Sequence, residues 1–125
     1  MATIYMLDDL IDSDSTTNLI YKHLCENHVV MCFKQVSDIM KEIEKAKPDI
    51  ILFDIRMSDD SHESGLDLYL WLEDGLKSKS ICFSAFTDDP NVKKVHKLGV
   101  RFVKRDNDAC GQIDCYIEQI LSTIR

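Results

Sequence analysis

The chain has 125 residues, 45% of them hydrophobic, enough to bury a core within one domain spanning residues 1–125. Its formal net charge of −7 argues against binding nucleic acid by itself, because phosphate neutralisation needs a basic footprint. No apolar stretch approaches a membrane span and no signal peptide precedes Thr3, while the five cysteines form no CxxC pair; the expectation is a cytoplasmic chain with reduced thiols.

Taken in order, "TIYML" (Thr3–Leu7) is a short apolar strand, followed by two acids and a polar stretch with capping residues at Asp12–Asp14. Leu19, Ile20 and Leu24 then fall at helical spacing. "HVVMCF" is a second strand, and Ile39, Met40 and Ile43 mark a second helix that Pro48 closes. "DIILFDI" is the third strand, and the Leu-rich stretch Gly65–Asp74 the third helix. "SICFSAF" is a fourth strand. Asp89-Pro90 is an N-cap and N1 pair for a fourth helix that ends at Gly99. "VRFVK" is the fifth strand, and Ile113, Ile117, Ile120, Leu121 and Ile124 give the last helix its apolar stripe. Cys32 and Cys82 lie inside apolar segments, where cysteine behaves as a small hydrophobe. The four histidines show no metal-ligand spacing, and His62 reads as a solvated loop residue.

Five strands alternating with five helices predict an α/β fold, a doubly wound parallel sheet of flavodoxin-like topology. The strand runs are continuously apolar, as expected of strands buried on both faces. Such a sheet gathers its strand ends on one edge. There the sequence places Asp8-Asp9 after strand one, Asp54 at the end of strand three, Ser84 on strand four and Lys104 on strand five. Each has a bland explanation taken alone: a cap, a loop acid, a filler or a solvated exit. Together they form a constellation.

Clustered carboxylates repel, by roughly 1–4 kcal/mol per pair about 4 Å apart at water-like to surface dielectric. A cation is needed to keep them ionised. All-oxygen ligands favour a hard ion, and Mg²⁺ prefers one or two carboxylates plus a phosphate oxygen. Lys104 adds a second positive point and Ser84 a short donor, which together suit phosphoryl handling with a carboxylate as nucleophile.

At these residues the chain resembles the receiver domain of two-component response regulators over its whole length. The resemblance rests on the acid pair Asp8-Asp9, "LFDIRM" around Asp54, "GLDL", "FSAF" with Ser84 and "FVK" with Lys104, in that order, with 30 residues from Asp54 to Ser84. It implies that Asp54 accepts a phosphoryl group from a histidine kinase or histidine phosphotransfer protein. It further implies that Asp9, Asp54 and the backbone carbonyl of Arg56 hold Mg²⁺, with Asp8 acting through a metal-bound water. Ser84 and Lys104 are implied as phosphoryl contacts, and small Ala85 leaves room for the group. Arg56 and Phe86 are expected to overhang the site.

The chain departs from that pattern in four places. Met57-Ser58 replaces Met-Pro, the loop "SDDSHES" is long and acidic, Arg105 stands where a proline is usual, and Arg101 stands where a switching aromatic is usual. Burying an unpaired guanidinium costs several kcal/mol, so Arg101 is expected to face outward, with Phe102 as the adjacent core residue and a muted aromatic switch. The expected output surface is nonetheless the one formed by the fourth helix, fifth strand and fifth helix, and a phosphorylation-linked dimer fits the family.

Two other readings compete. A haloacid-dehalogenase-type phosphatase also uses a strand-end Asp, a Ser/Thr and a Lys, but it wants an acid two residues after the nucleophile, where this chain has Arg56. A degenerate receiver would bind partners without phosphorylation, but such members typically lose the acceptor or an acid, and both are present here. The expected activity is therefore the chain's own phosphoryl transfer and dephosphorylation, not turnover of other substrates. No output module is legible, and the start at Met1 suits an N-terminal or free-standing receiver.

Overall fold

The longest apolar runs become the strands of one sheet. The computed structural model describes residues 2–8, 15–55, 64–84, 90–106 and 108–124. The strands are β1 (Thr3–Leu7), β2 (Val29–Phe33), β3 (Ile50–Asp54), β4 (Ser80–Ser84) and β5 (Arg101–Lys104). They lie in the order β2-β1-β3-β4-β5, and every pairing is parallel. The helices are α1 (Ser15–Cys25), α2 (Val36–Lys45), α3 (Gly65–Trp71), α4 (Asp74–Lys77), α5 (Pro90–Lys97) and α6 (Ala109–Ile124).

Strand side chains alternate between the two faces, and both faces are buried. Tyr5, Leu7, Ile51, Phe53 and Cys82 join a core with Val36 and Ile39 of α2, Leu66 and Leu68 of α3, and Val92 and Val95 of α5. Ile4, Met6, Ile50, Leu52, Ile81, Phe83 and Val103 join the opposite core with Ile20 and Leu24 of α1 and Ile113, Ile117 and Ile120 of α6. β3 and β4 are buried at every position, which is why their sequences show no polar alternation. β2 is an edge strand and half-exposed, with Val29 and Met31 open to solvent, so its continuous apolar run does not mean burial on both sides.

Two expectations need correction. The third helix does not run to Asp74. It ends at Trp71, because Leu72 takes an extended backbone (φ −70°, ψ 149°) that drops its side chain into the core. Glu73 is extended too, and a separate single turn, α4, follows, so there are six helices and not five. Leu19 is also exposed; the buried stripe of α1 is Thr17, Ile20 and Leu24. Pro90 does open α5, and Gly99 follows it with φ +76°, the left-handed conformation that ends a helix without a Cβ penalty. The expected caps Asp12–Asp14 and Asp89 lie outside the described residues, and no helix among those described is long and apolar enough to cross a membrane.

Candidate functional site

In an open parallel sheet, the crevice forms at the carboxyl ends of the strands where the strand order reverses. Here that point lies between β1 and β3, whose neighbours lie on opposite sides. Asp8 follows β1 and Asp54 ends β3, so the two carboxylates flank the crevice, and both are almost completely buried. The backbone holds each in place. The Asp8 amide donates to the Phe33 carbonyl at 3.0 Å, extending the β1–β2 ladder by one residue.

Beside Asp54, α3 comes unusually close. Its first residue is Gly65, where a Cβ would stand 2.0 Å from the Asp54 carbonyl oxygen and 2.8 Å from Cδ2 of Phe53. Only glycine permits that approach. Ser64 caps the helix: its Oγ accepts from the Asp67 amide at 3.4 Å, while the Ser64 amide donates to the Asp67 carboxylate at 2.7 Å.

Buried carboxylates need cationic or hydrogen-bonding partners. The Arg105 guanidinium supplies one. Its Nη1 lies 3.1 Å from Asp54 Oδ2, 3.3 Å from Asp8 Oδ2 and 3.2 Å from Thr17 Oγ1. Thr17 in turn donates its hydroxyl to Asp8 Oδ2 at 2.9 Å. One Nη carries two hydrogens, so its three contacts are shared. The Arg105 side chain is only 7% exposed, and its charge sits 5.9 Å above the centre of the Phe83 ring. The Arg105 amide donates to the Ser84 carbonyl at 2.9 Å, which anchors this arginine to the end of β4. Nearby, burial first and the charge of Asp54 second push the Cys82 thiol far up, so it stays protonated.

Of the residues singled out from the sequence, Asp8 and Asp54 are brought together, and Ser84 is fully buried at the neighbouring strand end. Lys104 stands opposite Ser84 in register, yet it is exposed and, among the described residues, makes no ion pair. Arg101 is half-buried; its Nη1 donates to the Ser78 carbonyl at 2.7 Å. Phe102 is partly buried against the core and packs on His96, with ring centroids 4.9 Å apart. Asp9, Arg56, Ala85 and Phe86 lie outside the described residues, as do Met57-Ser58 and the acidic loop.

No protein-family model matches the sequence, and no curated protein does. Solved structures do match the fold. NtrX from Brucella abortus, in complex with ATP, aligns over 98% of this chain and 28% of its own, with TM-score 0.78 and 18% identity. The signal receiver domain of a histidine kinase from Syntrophus aciditrophicus aligns over 100% of this chain and 93% of its own, with TM-score 0.77 and 18% identity. The Mn(2+)-bound form of the response regulator Rcp1 aligns over 94% and 91%, with TM-score 0.69 and 13% identity.

The chain has the receiver-domain fold. It spans little more than a quarter of the NtrX chain but nearly the whole of the isolated receivers. Within this receiver fold the sequence reading missed two participants, Thr17 and Arg105. Arg105 had shown itself only as a departure from an expected proline. Thr17 was legible as a polar residue on the buried stripe of α1, at i, i+3 and i+7 spacing with Ile20 and Leu24.

A receiver fold raises the question of a divalent ion. Two buried carboxylates on adjacent strands are hard oxygen donors of the right kind. Among the described residues they are not joined by a third acid, histidine or cysteine, and Asp9 lies outside those residues. The donor chemistry fits, with the Arg105 guanidinium already lying against both carboxylates.

Proposed function

We propose that this chain is a phosphoacceptor receiver in a two-component phosphorelay, with Asp54 as the acceptor. The observation that carries the reading is the placement of Asp54: a buried carboxylate at the end of β3, at the switch point, beside a second buried carboxylate. In the proposed step an Asp54 carboxylate oxygen attacks phosphorus. The phosphorus–nitrogen bond of a phosphohistidine breaks as the acyl phosphate forms, and the donor imidazole leaves with its electron pair. The partner is accordingly a histidine kinase or histidine phosphotransfer protein.

Asp8, Asp9, Asp54 and the Arg56 carbonyl are the residues that would hold Mg²⁺, which when bound neutralises phosphoryl oxygens. The protein's own groups do the rest. Ser84 offers a hydroxyl from the adjacent strand end, and Lys104 and Arg105 bring positive charge to the same edge. The wall built by Gly65 against the Asp54 carbonyl fixes the acceptor strand. The chain acts on its own aspartate and releases phosphate only from itself.

The test is incubation with a small acyl phosphate and Mg²⁺, followed by intact mass. One added phosphoryl group, stable to acid and labile to base, is expected on the wild type and none on Asp54→Asn. Phosphate remaining on an aspartate of the variant would mean another nucleophile. A second reading, a binding module that works without phosphorylation, is favoured by Arg105 already occupying the acid pocket. An unchanged mass in the same assay selects it.

A further inference from the structure

We propose that Arg105 is a resident cation of the acid pocket, tethered to the end of β5, and that a divalent ion must displace it from Asp8 and Asp54 to bind. This rests on the receiver reading for the ion's presence, but the arginine's role is drawn from its own contacts. Arg105 Nη1 reaches one carboxylate oxygen on each side of the switch point, at 3.3 and 3.1 Å. These are two of the three acids that a hard ion would neutralise. The chain itself therefore offsets one of the two negative charges.

Four features hold the side chain there and make the contact more than a surface pairing. The side chain is only 7% exposed, so solvent screens it weakly. Its backbone amide is tied to the Ser84 carbonyl, and its charge lies over the Phe83 ring. Thr17 completes the set by bonding both Asp8 and Arg105. A proline at this position would supply no such charge.

Arg105 Nη1 already lies against one oxygen of each carboxylate, and a divalent cation entering between the same two acids would meet its charge at close range, a strong repulsion. Entry of Mg²⁺ must therefore move the guanidinium outward, and the protein exists in two exclusive forms. One is closed by arginine, with Asp54 engaged. The other is metal-loaded, with Asp54 released from Arg105 and the guanidinium free to meet an incoming phosphoryl oxygen. Arginine is well suited to this exchange, since its planar fork matches carboxylate and phosphate alike.

The measurement is Mg²⁺ affinity by titration calorimetry, with no phosphoryl donor present, on the wild type and on Arg105→Gln and Arg105→Ala. Both variants should bind Mg²⁺ more tightly, on the order of tenfold or more, the factor expected when a unit positive charge about 4 Å from a divalent ion is removed even at water-like dielectric. Thermal melting gives a second readout. In metal-free buffer the variants should melt below wild type, and saturating Mg²⁺ should restore them while moving wild type little. Equal or weaker Mg²⁺ affinity in the variants, or a stability loss that Mg²⁺ does not repair, overturns the proposal. So does an absence of Mg²⁺ binding in all three proteins. If both variants fail to fold, the wild type still decides. Its Arg105 Nε resonance must shift on saturation with Mg²⁺, and a stationary signal overturns the displacement. Phosphorylation of Asp54 is read separately by mass, so the receiver reading can fail while this one stands, and the reverse.

Discussion

Gly65→Ala is a small change with a large expected effect. The new methyl group would lie 2.0 Å from the Asp54 carbonyl oxygen, whereas Cβ contacts below 3.0 Å essentially do not occur, so something must retreat by about 1 Å. The obstacle is backbone on both sides, so no rotamer change relieves it. The aromatic ring of Phe53, at 2.8 Å, is fully buried and stacked on Tyr69, which blocks the other direction. Overpacking of this kind costs about 1–3 kcal/mol, occasionally more. Alanine returns up to about 1 kcal/mol through lower unfolded-state entropy and better helix propensity. We expect a net loss of about 2 kcal/mol, lowering the melting temperature by roughly 6–12 °C for a chain of this size. Urea unfolding followed by circular dichroism measures it. Ser64→Ala is the control; it removes the cap of the same helix and should cost about 1 kcal/mol with no displacement of β3. Because the clash falls on the Asp54 carbonyl, Gly65→Ala should also slow acceptor phosphorylation more than Ser64→Ala does. A Gly65→Ala protein as stable as wild type would refute the close approach of α3 to β3.

Two further outcomes are expected. Burial lowers the pKa of His28, whose Nδ1 accepts from the Ala2 amide at 3.1 Å and cannot do so when protonated. The unfolded chain then binds more protons than the folded one between the lowered value and about 6.5, so stability falls as pH drops through that window; His28→Gln should flatten that part of a stability–pH curve, and an unchanged slope would remove His28 as its source. On addition of beryllofluoride and Mg²⁺, nuclear magnetic resonance should show large shifts at Ser84, Arg105 and α5, with Phe102 little moved. Large changes confined to the aromatic side chains of β5, with α5 unmoved, would contradict this.

The fold was legible because burial on both faces leaves an unmistakable signature. Ile50-Ile51-Leu52-Phe53 could be read as a central strand, and its four side chains divide between the two cores as alternation requires. β2 looked much the same in sequence but is an edge, since composition reports apolar character and not the number of covered faces. The break after Trp71 was hidden for a similar reason. Leu72 continues a Leu-rich helical pattern, and only the position of the core decides that it turns inward.

At the site, the acids were legible and the cation was not, and strand parity explains both. Leu7 and Phe53 face the core with α2, α3 and α5, so Asp8 and Asp54, one residue on, fall on the pleat facing α1 and α6. On β5, Val103 faces α1 and α6, which puts Arg105 on the acids' pleat and Lys104 on the other, together with Phe102. On β4, Phe83 shares the acids' pleat, and Arg105 lies over its ring. Thr17, on the buried stripe of α1, approaches from that same side. Family motif alone selects Lys104 as the cation of this pocket. Counting two residues forward from the core residue Val103 selects Arg105, the side chain that meets both carboxylates. The tethered cation is thus a consequence of where β5 ends: one residue beyond the strand, on the acids' side of the sheet, proline would be neutral and arginine is charged.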